Sequence, residues 1–89
     1  MRTTVTKEHI ERRIVDVDYH RLPNTTLTIC VITMANGYKV TGESACVNPD
    51  NFDSALGRRY AYENALEKIW PLEGYLLAEE MRFATAKAA

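Results

Sequence analysis

The 89 residues hold only two cysteines, two histidines and four glycines, and 11 Lys+Arg nearly cancel 12 Asp+Glu. Two thiols are too few for a disulfide scaffold. Lys7, Glu8, Glu11, Arg12 and Arg13 break up any apolar run near Met1, so nothing there resembles a signal peptide, and an intracellular, reducing setting is expected. Neither His9 nor His20 stands at zinc-ligand spacing from a cysteine or carboxylate. Asp16, Asp18 and His20 share one side of an extended segment but lack a fourth ligand, so no metal is expected. The scattered Gly37, Gly42, Gly57 and Gly74 build no phosphate-cradling loop, and no cofactor is implied. Ser44 beside Glu43 has no histidine in fixed relation, and no paired acid and base is visible, so the chain reads as non-enzymatic. A net charge of -1 supplies no overall field toward nucleic acid or anionic lipid. The longest mostly apolar run, Leu27 to Ala35, is far below the ~18 residues of a membrane helix.

What is present is 46% apolar and 26% charged residues, the balance of an ordinary globular domain. A chain this short buries roughly 60 to 65% of its unfolded surface, enough for one thin core. Residues 1–89 are therefore read as a single α+β domain: 1–24 an N-terminal helix and lead-in, 25–47 a β-hairpin, and 51–83 a helical region.

Thr6 is a candidate N-cap for a short helix over Thr6 to Val15 with Ile10, Ile14 and Val15 on one face. Asp16 to Leu22 then alternates polar and apolar residues, as a third short strand or an extended approach to one, and Pro23-Asn24 reads as a turn. Two β-branched runs flank Asn36-Gly37, the strongest short hairpin signal, because both residues tolerate positive φ. Two registers compete: a two-residue turn pairs Ala35 with Tyr38, and a three-residue turn closed by a Gly37 bulge pairs Met34 with Tyr38. In either, Cys30 and Cys46 are three or four positions out of alignment and unsuited to a disulfide.

The first hairpin strand is apolar on both sides, Leu27, Ile29 and Val31 on one and Cys30, Ile32 and Met34 on the other. Such a strand wants cover on both faces, which predicts self-association, a dimer in the first instance. Asn48-Pro49 ends the hairpin, Asp50 or Asn51 is the expected cap of the next helix, and Ala55, Leu56, Tyr62, Leu66, Ile69 and Trp70 form its apolar stripe with Phe52. Arg59 and Glu63, four apart, are expected to pair at a partly buried edge. Pro71 either kinks the helix or breaks it.

Arg58, Arg59 and Lys68, with Tyr60 and Tyr62 among them, are placed to touch phosphates or bases, but Asp53, Glu63 and Glu67 dilute their field and nucleic acid is disfavoured. The sharper surface is aromatic and Met-rich: Tyr38, Tyr62, Trp70, Ile32 and Met34, with Arg59, are the candidate interaction residues. A rival reading seats a small nucleotide-like ligand at a subunit boundary lined by Tyr38, Tyr62, Trp70 and Arg59.

The run Thr25 to Leu77, above all Thr41-Gly42-Glu43-Ser44 and Trp70-Pro71-Leu72-Glu73-Gly74-Tyr75, resembles a family of small tailed-bacteriophage proteins, the one named after members in phages of the N-four and Sf-six type. The resemblance implies a phage product acting in the host cytoplasm and carries over no catalytic residue. The expected function is accessory, the binding and modulation of a host protein during infection.

Overall fold

Thr6 does cap the first helix: its Oγ1 accepts from the His9 N–H at 3.1 Å, opening α1, Lys7–Arg12. The computed structural model describes residues 4–88. The helix stops earlier than its apolar spacing predicts, because Ile14 and Val15 begin β1, Ile14–Arg21, rather than a further helical turn. A register shift between Ile14 and Asp16 leaves Val15 in a bulge, 64% exposed. Ile14 and Val17 thereby reach the same face of the sheet. The alternating segment is thus a full eight-residue strand, and Asn24, at φ 61°, turns the chain into β2, Leu27–Met34.

β3, Lys39–Ala45, completes an antiparallel sheet of order β1-β2-β3. The Met34 N–H donates to the Tyr38 carbonyl and the Gly37 N–H to the Met34 carbonyl, both at 2.8 Å, with Gly37 at φ 88°. The register is therefore that of the three-residue turn, with Ile32 opposite Val40 and Cys30 opposite Gly42. It turns Thr28, Cys30, Ile32 and Met34 inward together with Val40 and Gly42.

Over that face lies α2, Ser54–Ala88, which packs on β3 and β2. Its cap is neither Asp50 nor Asn51, because Pro49–Asn51 closes into a 3₁₀ turn capped by Asn48. Asp53 takes the role, its Oδ1 accepting from the N–H groups of Ala55 (2.9 Å) and Leu56 (3.2 Å). Pro71 sits on the exposed side of the helix and does not break it: α2 runs through it from Ser54 to Ala88, with Ile69 and Glu73 on either flank buried. The inner stripe differs from the expected one. Leu56 and Trp70 face solvent, and Ala61 and Ala65 take the central contact with the sheet beside Leu66 and Ile69.

The outer face of the sheet answers the question of the doubly apolar strand. Ile29 lies between His20 and Glu43, Val31 between Asp18 and Thr41, and Thr33 between Asp16 and Lys39. Leu27, Ile29 and Val31 are each half-buried by these flanking rows, a single apolar line rather than an open patch.

Cys30 is sealed in the core and burial pushes its thiol up, with the nearby Asp18 charge adding to the effect, while Cys46 is partly exposed and its Sγ donates to the Asn48 carbonyl. Reaction of the native protein with a disulfide reagent is expected to show one thiol, Cys46, modified at least ~10-fold faster than the other, the two becoming alike in denaturant. Equal native rates would place Cys30 outside the core.

Candidate functional site

A groove of about 260 Å³ opens where the β2–β3 turn meets the middle of α2. Met34 and Ile69, both buried, form its floor, and Tyr38, Leu72, Tyr75 and Leu76, all exposed, form its rim. Asn36 sets one side, its Oδ1 accepting from the Tyr38 N–H at 3.0 Å. This local bond orients the tyrosine after the turn. The helical side follows from spacing: Leu72, Tyr75 and Leu76 are three and four apart and share a face.

One wall is polar. Glu73 is 2% exposed, and its Oε1 accepts from the Arg13 Nε at 2.6 Å. Its Oε2 stands 3.6 Å from the His9 Nε2, and neither of these two atoms has a hydrogen-bond partner. The network joins α1 and the residue that follows it to α2 across 60 positions of sequence. Sequence reasoning missed it, although one signal was present: Glu73 falls four residues after Ile69, within the buried stripe, where a carboxylate requires a cation.

Of the expected interaction residues, Tyr38 and Met34 meet in this groove. Ile32 is wholly buried beneath α2 and offers nothing to a partner. Tyr62 is half-buried elsewhere on α2, its hydroxyl donating to Glu11 Oε2 at 3.3 Å. Burial, and secondly the Glu11 charge, pushes its phenol up to about 12. Arg59 pairs with Glu63 at 3.3 Å on the exposed surface of α2 rather than at a partly buried edge. Trp70 is exposed and does not line the groove. Tyr38, Tyr62, Trp70 and Arg59 are thus not gathered into one cavity of a single chain. On the basic face Arg59 pairs with Glu63 and Lys68 lies 4.0 Å from Glu43 rather than beside Asp53 or Glu67, and Arg58 has no carboxylate partner among the described residues.

Among the described residues no group of three or more His, Cys, Asp or Glu is disposed to hold a metal ion, and no helix is long and apolar enough to cross a membrane. The model of the Phage protein (N4 Gp49/phage Sf6 gene 66) family matches residues 5–81. No curated protein and no solved structure matches the chain.

Proposed function

The chain belongs to the N4 Gp49/Sf6 gene 66 family of phage proteins, and from that membership we propose that it is a non-enzymatic accessory protein that binds a host protein in the cytoplasm of the infected cell. The groove where the β2–β3 turn meets the middle of α2 is the binding surface. The observation that supports this reading is the set of exposed large side chains, Tyr38, Leu72, Tyr75 and Leu76, gathered around one apolar cavity. Aromatic and large aliphatic residues around a pocket are the composition of interface centres. The partner this surface fits is an amphipathic segment presenting one or two large apolar side chains, with a polar flank toward Arg13 and Asn36.

One observation favours a second reading, in which another copy of the chain fills the groove. At about 1.5 Å per residue the 35 residues of α2 span some 52 Å, whereas the eight-residue strands span roughly 27 Å. Past Leu77, Met81 and Phe83 are exposed on helix that continues away from the sheet.

The test is quantitative co-purification from infected cells with three tagged forms: native, Leu72→Glu/Leu76→Glu, and Val31→Glu on the outer sheet face. Loss of one host protein by at least ~10-fold in the groove variant alone is expected. Equal recovery with all three would remove the groove from the account. If the species lost is a differently tagged second copy, the dimer reading replaces the host-protein one.

A further inference from the structure

We propose that Asn36 is a site of self-modification, at which hydrolytic loss of the side-chain amide reshapes the hairpin turn and withdraws Tyr38 from the groove. The chemistry needs no partner, and only its effect on binding rests on the function proposed for the groove.

The residue after each asparagine decides whether the backbone can attack the side chain. Asn48 precedes Pro49, which has no N–H to ionise, and Asn24, Asn51 and Asn64 precede Thr25, Phe52 and Ala65, whose Cβ atoms crowd the approach. Asn36 alone precedes a glycine. It is exposed, and a Cβ built on Gly37 would meet nothing within 4 Å, so the space around that backbone is open. The Asn36 Oδ1 accepts from the Tyr38 N–H at 3.0 Å, which polarises the side-chain carbonyl and makes Cγ more electrophilic.

Water is the sole co-reactant. The ionised Gly37 nitrogen bonds to Asn36 Cγ, the Cγ–Nδ2 bond breaks, and ammonia leaves carrying the proton that Gly37 gave up, which closes a cyclic imide. Water then opens either imide carbonyl. One opening returns the normal chain with aspartate at position 36, and the other routes the chain through the side-chain carbonyl as isoaspartate. In the native turn the Gly37 N–H is held by the Met34 carbonyl at 2.8 Å, so the nucleophile is released only when the turn opens, and that bond sets the pace.

Isoaspartate adds one backbone carbon to a turn closed at both ends by 2.8 Å bonds, Gly37 N–H to the Met34 carbonyl and Met34 N–H to the Tyr38 carbonyl. The longer path cannot keep both, and Tyr38 leaves the rim. Aspartate keeps an acceptor for the Tyr38 N–H but brings a second carboxylate to a groove whose lining cation, Arg13, is already held by Glu73.

The test is incubation of the purified full chain at mildly alkaline pH, native and in urea, followed by peptide mass spectrometry and an isoaspartate assay. Conversion at residue 36 should lead that at every other asparagine by at least ~10-fold in the native protein, and run ~10-fold faster still in urea, where the bond to Met34 is gone. Asn36→Gln, whose longer side chain must close a larger ring, should abolish it. In the converted chain, amide exchange at Met34 and Gly37 should rise at least ~10-fold while that at Ile69 stays unchanged. Native conversion at Asn36 no faster than at Asn24 or Asn51 overturns the modification site, and unchanged exchange at Met34 overturns its effect on the turn. Recovery of the species that the Leu72→Glu/Leu76→Glu form loses should fall as conversion proceeds. Full recovery by the isoaspartate chain removes the link to binding, whereas a groove variant that loses no species removes the groove reading and leaves the modification standing.

Discussion

Gly42→Ala is expected to lower the unfolding free energy by about 3 kcal/mol or more, a large part of the roughly 4 to 13 kcal/mol that a domain of this size possesses. Gly42 stands in the interior of β3 directly beneath α2. A Cβ built there would collide with the Ala61 carbonyl oxygen and the Ala65 nitrogen and lie 2.8 Å from the Ala65 Cβ. Two of these atoms are helix backbone, so the strain cannot be relieved by a rotamer change. The whole of α2 must lift from the sheet, and the contacts of Ile69 and Leu66 loosen with it. The same substitution at Gly74 is the control. There an added Cβ meets nothing within 4 Å, and alanine should stabilise the helix by about 0.5 to 1 kcal/mol. Urea melts of the two variants should therefore move in opposite directions. A Gly42→Ala midpoint close to the native one would mean that helix and sheet do not meet at Gly42, Ala61 and Ala65.

Arg13→Met should cost about 2 to 3 kcal/mol. Removing one member of a buried ion pair costs roughly 3 to 5 kcal/mol because the other is left uncompensated, and the figure is lowered here because the Arg13 side chain is 30% exposed. Glu73 would keep only His9, at 3.6 Å, as a neighbour of opposite sign, and only when that imidazole is protonated. Glu73→Gln should be milder, since it leaves Arg13 partly hydrated rather than a charge in the core. The pair Arg13→Met/Glu73→Leu should recover stability relative to Arg13→Met alone, as apolar replacement of a buried pair commonly does. Denaturant unfolding of the three variants checks the order. An Arg13→Met protein as stable as the native one would show that Glu73 carries no buried charge in need of a partner.

Local chemistry was legible in the sequence and long-range geometry was not. Asn36-Gly37 announced the hairpin, and Thr6 announced the first helix, because turns and caps are set by a few adjacent residues. The register stayed open because β2 is apolar on both sides and either face suits a core. A glycine inside a strand marks close approach of another backbone, and Gly42 read together with the alanines at 61 and 65 would have decided it. The helical extent of α1 was overestimated because Ile10, Ile14 and Val15 fit a 3.6 period, while the bulge at Val15 disguises the period-2 pattern of β1. Trp70 was expected inside from its helical spacing, yet the close approach of α2 to β3 at Ala61 and Ala65 leaves Trp70 and Leu56 at the flanks. Half of the groove was foreseen, in Tyr38 and Met34. The polar wall of Arg13 and Glu73, with His9 beside Glu73, was not, since Glu73 lies 60 positions or more from its partners and they come together only when α1 docks.

Small size remains the organising constraint, but its consequence has moved. The outer face of the sheet is served by its own flanking polar rows, and the unserved apolar surface lies around the groove and onward along α2. A photo-cross-linking residue placed at Tyr75 and, in a parallel sample, at Val31 tests this most directly in infected cells. The account predicts one discrete adduct, to a host protein or to a second copy, from position 75 and none above background from position 31. A discrete adduct from position 31 with none from position 75 would contradict it.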